Sequence, residues 1–243
     1  MNLRGRAWIL VAALAAQSCR GSSRESAAAP APSPAFPAMP TVGPASGHAT
    51  SAVFLLHGFG ADGADLRSLA EALARTLPDA VFLLPDGFEA APGGQGRQWF
   101  ALADDAAARR TRLRPAGDRV SQWIDQELRR RHLSHAQAVV GGFSQGAMLA
   151  LDVGLHLRPS PAGAFALSGR LVDDTGAPAD PPPMLVVHGT SDARIPFAEA
   201  ERTVERLREL HAPTTFVTMR GAGHTINGEA VDAATTFLHE VLR

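Results

Sequence analysis

The stretch Val139 to Leu151, VVGGFSQGAMLAL, joins an apolar strand-like run to a helical pattern through one tight turn, Gly142-Phe143-Ser144-Gln145-Gly146. A serine on such a turn is held in strained backbone, and the residues two places before and after it must be very small for strand and helix to approach. Gly142 and Gly146 meet that need. The helix that follows points its first N–H groups and the positive end of its dipole at the turn, where an anion could form. G-x-S-x-G is common by chance. What separates this copy from an ordinary Gly/Ser turn is the strand before it and the helix after it.

The chain from residue 51 onwards alternates in the same way. Ser51–Leu56, SAVFLL, is a continuous apolar run suited to a strand buried on both faces. Further strand-like runs lie at Ala80–Leu84, Ala136–Gly141, Ala162–Leu167, Met184–Val187 and Thr214–Met219. Between and after them come helical patterns at Asp65–Thr76, Pro115–His132, Gln145–Leu157, Phe197–His211 and Gly228–Leu242. Such alternation predicts an α/β fold, a mainly parallel sheet with helices on both faces, whose sites lie at the carboxyl ends of strands. Asp86 to Arg114 reads as one long irregular insertion carrying Trp99, Phe100 and Leu102, and no internal repeat is visible.

Composition excludes several chemistries. With 243 residues, 45% hydrophobic and 19% charged, the chain can bury one sizeable core. A net charge of −1 gives no general electrostatic reason for a nucleic-acid partner. Every one of the 23 Lys+Arg residues is arginine and tyrosine is absent, which removes Schiff-base lysines, phosphate-loop lysines and Ser-Lys or Tyr-Lys catalysis. The one cysteine, Cys19, allows no intrachain disulfide.

Cys19 matters for its position. Residues 1–18 carry Arg4 and Arg6 and then the apolar stretch Ala7–Ala16, too short to span a bilayer, and read as an export signal. Ala16-Gln17-Ser18-Cys19 resembles a bacterial lipoprotein signal, in which the cysteine is lipidated and becomes the new N-terminus; an ordinary signal peptidase could instead cut after Ala13-Leu14-Ala15. Residues 19–50 are rich in Ala, Pro and Ser without periodicity and read as a tether, so that the catalytic domain is expected over 51–243. The membrane enters this reading only through a lipid on Cys19, and the expected location is the periplasm or cell exterior, anchored or free.

A second motif competes with the serine turn. Gly58-Phe59-Gly60-Ala61-Asp62-Gly63 is a literal G-x-G-x-x-G after a strand and before a helix, with Asp86 about twenty residues on, which is the dinucleotide-binding fingerprint in its proper context. His57 crowds the strand end before the first glycine, the Tyr/Lys proton-transfer pair of one dehydrogenase group is missing, and the oxidoreductase reading leaves the serine turn unexplained.

A serine needs a base to take its proton and a carboxylate to fix the tautomer of that base, and in elbow-type folds these follow in the order Ser, Asp or Glu, His. Asp192, in VVHGTSDARIP, stands just past a late strand; Asp173 and Asp174, after the strand before it, are the alternatives. Among the later histidines, His211 ends a helix and His239 lies within one, whereas His224, in RGAGHTING, sits in a glycine-rich loop after the last strand that can reach Ser144. The backbone N–H groups of Phe59 and Gln145 are the expected oxyanion donors. His57 and His188, each ending a strand in a His-Gly step, read as supports for neighbouring loops. His132 and His135 have metal-like spacing but no further ligands to complete a site, so no metal is expected.

LLHGFGADGADL, GGFSQGAMLAL, LSG at Leu167–Gly169, HGTSDARIP and GAGHTI together resemble the alpha/beta-hydrolase superfamily, in particular its small phospholipase/carboxylesterase family that includes acyl-protein thioesterases. The resemblance covers roughly residues 51–243. It implies an α/β-hydrolase fold with six or seven strands, Ser144, Asp192 and His224 as triad, Trp99 and Phe100 in RQWFAL as part of an acyl-side wall, and no cofactor. The implied activity is hydrolysis of a small-molecule carboxylic ester, with thioesters or lysophospholipids as further substrates. A catalytically silent binding domain of the same fold is the alternative, and the Rossmann oxidoreductase comes third.

Overall fold

The computed structural model describes residues 39–44, 47–103 and 105–243. The export signal, Cys19 and the tether up to residue 38 lie outside them.

Seven strands form the main sheet, with β1 at Thr41–Val42, β2 at Ser51–Leu56 and β3 at Ala80–Leu83. A separate two-stranded hairpin follows, β4 at Glu89–Ala90 and β5 at Arg97–Gln98. The main sheet continues with β6 at Ala138–Phe143, β7 at Gly163–Leu167, β8 at Met184–Gly189 and β9 at Thr214–Met219. Its spatial order is β1-β3-β2-β6-β7-β8-β9. All neighbours run parallel except β1, which pairs antiparallel with β3 through Thr41↔Leu83 and Val42↔Phe82. The expected mainly parallel, six- or seven-stranded sheet is present with seven.

The helices are α1 at Arg67–Ala74, α2 at Ala106–Arg131, α3 at Gln145–His156, α4 at Phe197–Glu209 and α5 at Gly228–Val241. The period-2 alternation of the strands sends side chains to opposite faces. On β2, Ala52, Phe54 and Leu56 join the apolar cluster built with Leu113, Val120 and Ile124 of α2 and Leu149 and Val153 of α3. Val53 and Leu55 face the other way, into the cluster built with Leu69 and Leu73 of α1 and Ala234 and Leu238 of α5. A third cluster packs Ala147 and Leu151 of α3 and Val204 and Leu207 of α4 against Ala166 and Val186. Helices therefore cover both faces, and the central strands β2, β6, β7 and β8 are buried along nearly their whole length.

Two expectations are corrected. The tether ends earlier than residue 50: β1 is part of the sheet, and Leu84 N–H donates to the Pro40 carbonyl at 3.1 Å. A two-residue edge strand in a proline-rich stretch carries no alternation to read. The segment 86–114 is likewise not irregular throughout. It holds the β4–β5 hairpin and the first turns of α2, which begins at Ala106 with Asp105 as N-cap, its carboxylate accepting from Ala108 N–H at 2.9 Å. Pro115 reads as a helix start because proline suits the first turn; here it lies in the helix interior.

Candidate active site

Ser144 sits between the last residue of β6 and the first of α3 with φ 55° and ψ −114°. This is sparsely allowed for a non-glycine residue and persists only where the surroundings enforce it. The enforcement is visible. Ser144 N–H donates to the Leu167 carbonyl of β7 at 3.0 Å. A Cβ at Gly146 would overlap the Leu56 carbonyl, and one at Gly142 would overlap the Gly146 backbone, so α3 starts in contact with two strands.

The partners come from the two loops expected. Asp192 follows β8, its side chain fully buried. Its Oδ1 accepts from the N–H groups of Arg194 at 2.8 Å and Ile195 at 2.9 Å, which fixes the carboxylate plane. Its Oδ2 lies 2.7 Å from His224 Nδ1, and His224 Nε2 lies 2.8 Å from Ser144 Oγ. With Nδ1–H donating to the carboxylate, Nε2 presents a lone pair to the serine hydroxyl. Burial works to raise the Asp192 carboxyl, but the Ile195 N–H, the His224 imidazole and the Arg194 N–H outweigh it and hold the group below the usual carboxylate range. The His224 loop is itself tied down: Gly221 N–H donates to Thr190 Oγ1 at 2.8 Å, Ser191 N–H to the Ala222 carbonyl at 2.9 Å, and the Phe143 ring lies 4.9 Å from the imidazole. The alternative acids are engaged elsewhere, Asp173 with Arg114 at 2.7 Å and Asp174 with Arg206.

Gly58, Phe59 and Ala61 line a cavity of about 490 Å³ in front of Ser144, closed on other sides by Leu66, Phe143 and Ile226. The 58–63 loop is held away from a nucleotide-binding arrangement. Gly60 N–H donates to the Arg97 carbonyl at 2.8 Å, and Gly63 N–H to Asp86 Oδ1 at 2.9 Å, so the aspartate in the place of a ribose ligand is spent on the loop. Among the described residues, neither Phe59 N–H nor Gln145 N–H is taken up by another protein acceptor.

His57 and His188 prove to be supports. His57 Nε2 accepts from Gly87 N–H at 2.8 Å while Nδ1 donates to the Gly58 carbonyl at 2.7 Å, a pattern that only the neutral ring can satisfy. Burial lowers its pKa from the ordinary imidazole value despite the Gly58 carbonyl. His188 Nε2 donates to the Ile195 carbonyl at 2.9 Å and lies 3.4 Å from Asp192 Oδ2, bracing the acid. His135 pairs with Asp125 at 2.7 Å, and His132 caps α2 in a left-handed conformation, φ 56°.

Trp99 and Phe100 are not walls of this cavity. They are 2% and 4% exposed and belong to the core between α2 and the sheet. The cause is the side chain of Gln145, whose Oε1 accepts from Trp99 N–H at 3.0 Å and whose Nε2 donates to the Phe100 carbonyl at 2.7 Å. Trp99 Nε1–H in turn donates to the His57 carbonyl at 2.8 Å. The residue after the serine is thus a strut behind the elbow as well as a candidate oxyanion donor. Sequence reasoning also passed over Arg194 and Ile226, which line the cavity and stand inside the HGTSDARIP and GAGHTI motifs, two residues from Asp192 and His224.

A mainly parallel sheet with a strained serine between a central strand and its helix, and acid and histidine on later strand loops, defines an alpha/beta hydrolase. Within that class the chain belongs to the phospholipase/carboxylesterase family, whose profile matches residues 37–242. It is 29% identical over 224 residues to acyl-protein thioesterase 1 of Neurospora crassa, covering 84% of this chain and 91% of that protein. The crystal structure of esterase PE8 superposes with a TM-score of 0.79 at 33% identity, over 84% of this chain and 98% of that one. The Bacillus cereus carboxylesterase shares the fold, with a TM-score of 0.68 at 21% identity over 84% of this chain and 94% of that one. The chain is a hydrolase of the carboxylesterase type.

Proposed function

We propose that the protein hydrolyses small carboxylic esters through an acyl-enzyme on Ser144. The observation that carries this reading is the unbroken relay from Ser144 Oγ to His224 Nε2 at 2.8 Å and from His224 Nδ1 to Asp192 Oδ2 at 2.7 Å, ending on a serine in strained backbone. Neutral His224 takes the proton as Ser144 Oγ attacks the ester carbonyl, and the Phe59 and Gln145 N–H groups hold the oxyanion. The imidazolium, steadied by ionised Asp192, then protonates the departing alcohol. Water, deprotonated by the same imidazole, releases the acid and restores the serine. Ser144→Ala should lose ester turnover by roughly three to six orders of magnitude, because such residues act as a unit. Full turnover by that variant would overturn the reading, and a folded wild-type protein inert towards every ester would point to a silent binding domain.

Thioesters enter through the Neurospora relative, whose name is acyl-protein thioesterase 1. With residues 1–18 read as an export signal, the proposed location outside the cytosol favours soluble or short-chain esters over lipidated cytosolic proteins. We propose further that Cys19 is lipidated and anchors the domain. A lipid-modified N-terminal Cys19 in the mass spectrum of the mature protein supports that; an unmodified N-terminus at Gln17 or Ala16 contradicts it.

A further inference from the structure

Arg194 is the one arginine among the described residues lining the cavity in front of Ser144. Several other arginines are matched with carboxylates: Arg114 with Asp152 and Asp173, Arg130 and Arg131 with Glu127, Arg206 with Asp174 and Glu209. Among the described residues, Arg194 has no carboxylate within ion-pairing distance, and its guanidinium is exposed. Two carboxylates stand near, and both are committed. Asp65, which also lines the cavity, accepts from Asp62 N–H at 3.0 Å in the cap of a 3-10 turn. Asp192 is fully buried and serves His224.

The position of Arg194 is also fixed, since its own N–H donates to Asp192 Oδ1. The carboxylate that orients His224 therefore sets where this side chain leaves the backbone. Around the serine, Phe59, Leu66, Phe143 and Ile226 supply apolar lining beside the polar groups of His57, His224 and Thr225. Apolar lining on several sides and one planar cation without an ion-pair partner suit a substrate with a short hydrocarbon body and a carboxylate at its far end, which the guanidinium fork can grip with two hydrogen bonds.

We propose that Arg194 determines specificity, selecting esters that carry a free carboxylate. This rests on the ester-hydrolase reading above, and the test keeps the two apart by pairing each anionic ester with a neutral one. 4-Nitrophenyl hydrogen adipate against 4-nitrophenyl hexanoate places the charge on the acyl side, and 4-carboxyphenyl acetate against phenyl acetate places it on the alcohol side. The quantity read is the ratio of kcat/KM, anionic over neutral, for the full-length protein and for Arg194→Ala, Arg194→Lys and Arg194→Glu. On one of the two pairs the ratio should fall about threefold in the alanine variant and roughly tenfold in the glutamate variant, with lysine restoring part of it, as for a partly exposed ion pair. In the wild-type protein the same ratio should drop as salt is raised. Ratios within about twofold of one another across all variants on both pairs, or a wild-type ratio indifferent to salt, would overturn the proposal while neutral turnover leaves the hydrolase standing. A folded wild-type protein that turns over none of the four esters would overturn the hydrolase reading and this proposal with it.

Discussion

Asp192 illustrates how much one carboxylate can organise. Two backbone N–H groups and an imidazole converge on it, and those bonds, outweighing burial, keep it ionised well into acid. Replacing it with asparagine removes the charge and offers His224 an amide that can enforce the wrong tautomer. Asp192→Asn should therefore cost on the order of 10⁴ in kcat while the fold survives. Asp173→Asn and Asp174→Asn, whose carboxylates meet arginines instead, should leave kcat nearly intact; the reverse pattern would move the acid one strand back. His57 gives a residue-scale prediction about pH. Its folded pKa lies below the unfolded value because burial disfavours the charged ring, so the unfolded chain takes up more protons once the pH drops below about 6.5. The stability that neutral His57 contributes is complete above that range and is lost as the pH falls towards the folded value. His57→Gln, which keeps a donor and an acceptor, should show a shallower loss of Tm between pH 7.5 and 5 than the wild type. His156, raised by its Asp152 contacts against burial, slopes the other way but is common to both proteins and cancels in the comparison. Equal slopes would contradict the assignment.

At the scale of elements, the strands that the sequence revealed are those buried on both faces. β2, β6, β7 and β8 are buried along nearly their whole length, and such strands show as continuous apolar runs. What escaped were pieces whose form is dictated from outside. The first turns of α2 read ARRTRLR, with no apolar period, and the helix there is held by its Asp105 cap and by arginine bonds to the carbonyls of residues 101–103. The family resemblance implies Trp99 and Phe100 as part of an acyl-side wall; the Gln145 amide on their backbone and the Trp99 Nε1–H bond to the His57 carbonyl hold them inward instead. Gln145→Ala keeps the backbone N–H and deletes that strut, leaving Trp99 N–H and the Phe100 carbonyl unpaired in the core. Denaturant unfolding should show a loss of roughly 1–3 kcal/mol for each orphaned group. An unchanged midpoint would mean that water replaces the side chain.

For the whole molecule, the motifs around Ser144, Asp192 and His224 were legible because each lies at the carboxyl end of a strand, where a parallel sheet gathers its loops. Its edge was not legible, since Thr41–Val42 is too short to carry a pattern. That gives two truncations opposite expectations. A chain beginning at Met39 should keep both stability and ester turnover. A chain beginning at Ser51 strips β1 from β3 and removes the Pro40–Leu84 bond, and its Tm should fall by roughly 2–4 °C for each kcal/mol lost. Equal Tm values would show that the domain begins at β2 after all. The central claim remains that Ser144 is the nucleophile, and covalent capture tests it most directly. After incubation with a fluorophosphonate, peptide mass spectrometry should place one adduct on Ser144, with labelling much reduced in Asp192→Asn. An adduct on any other serine, or a folded wild-type protein that takes up none, would contradict the account.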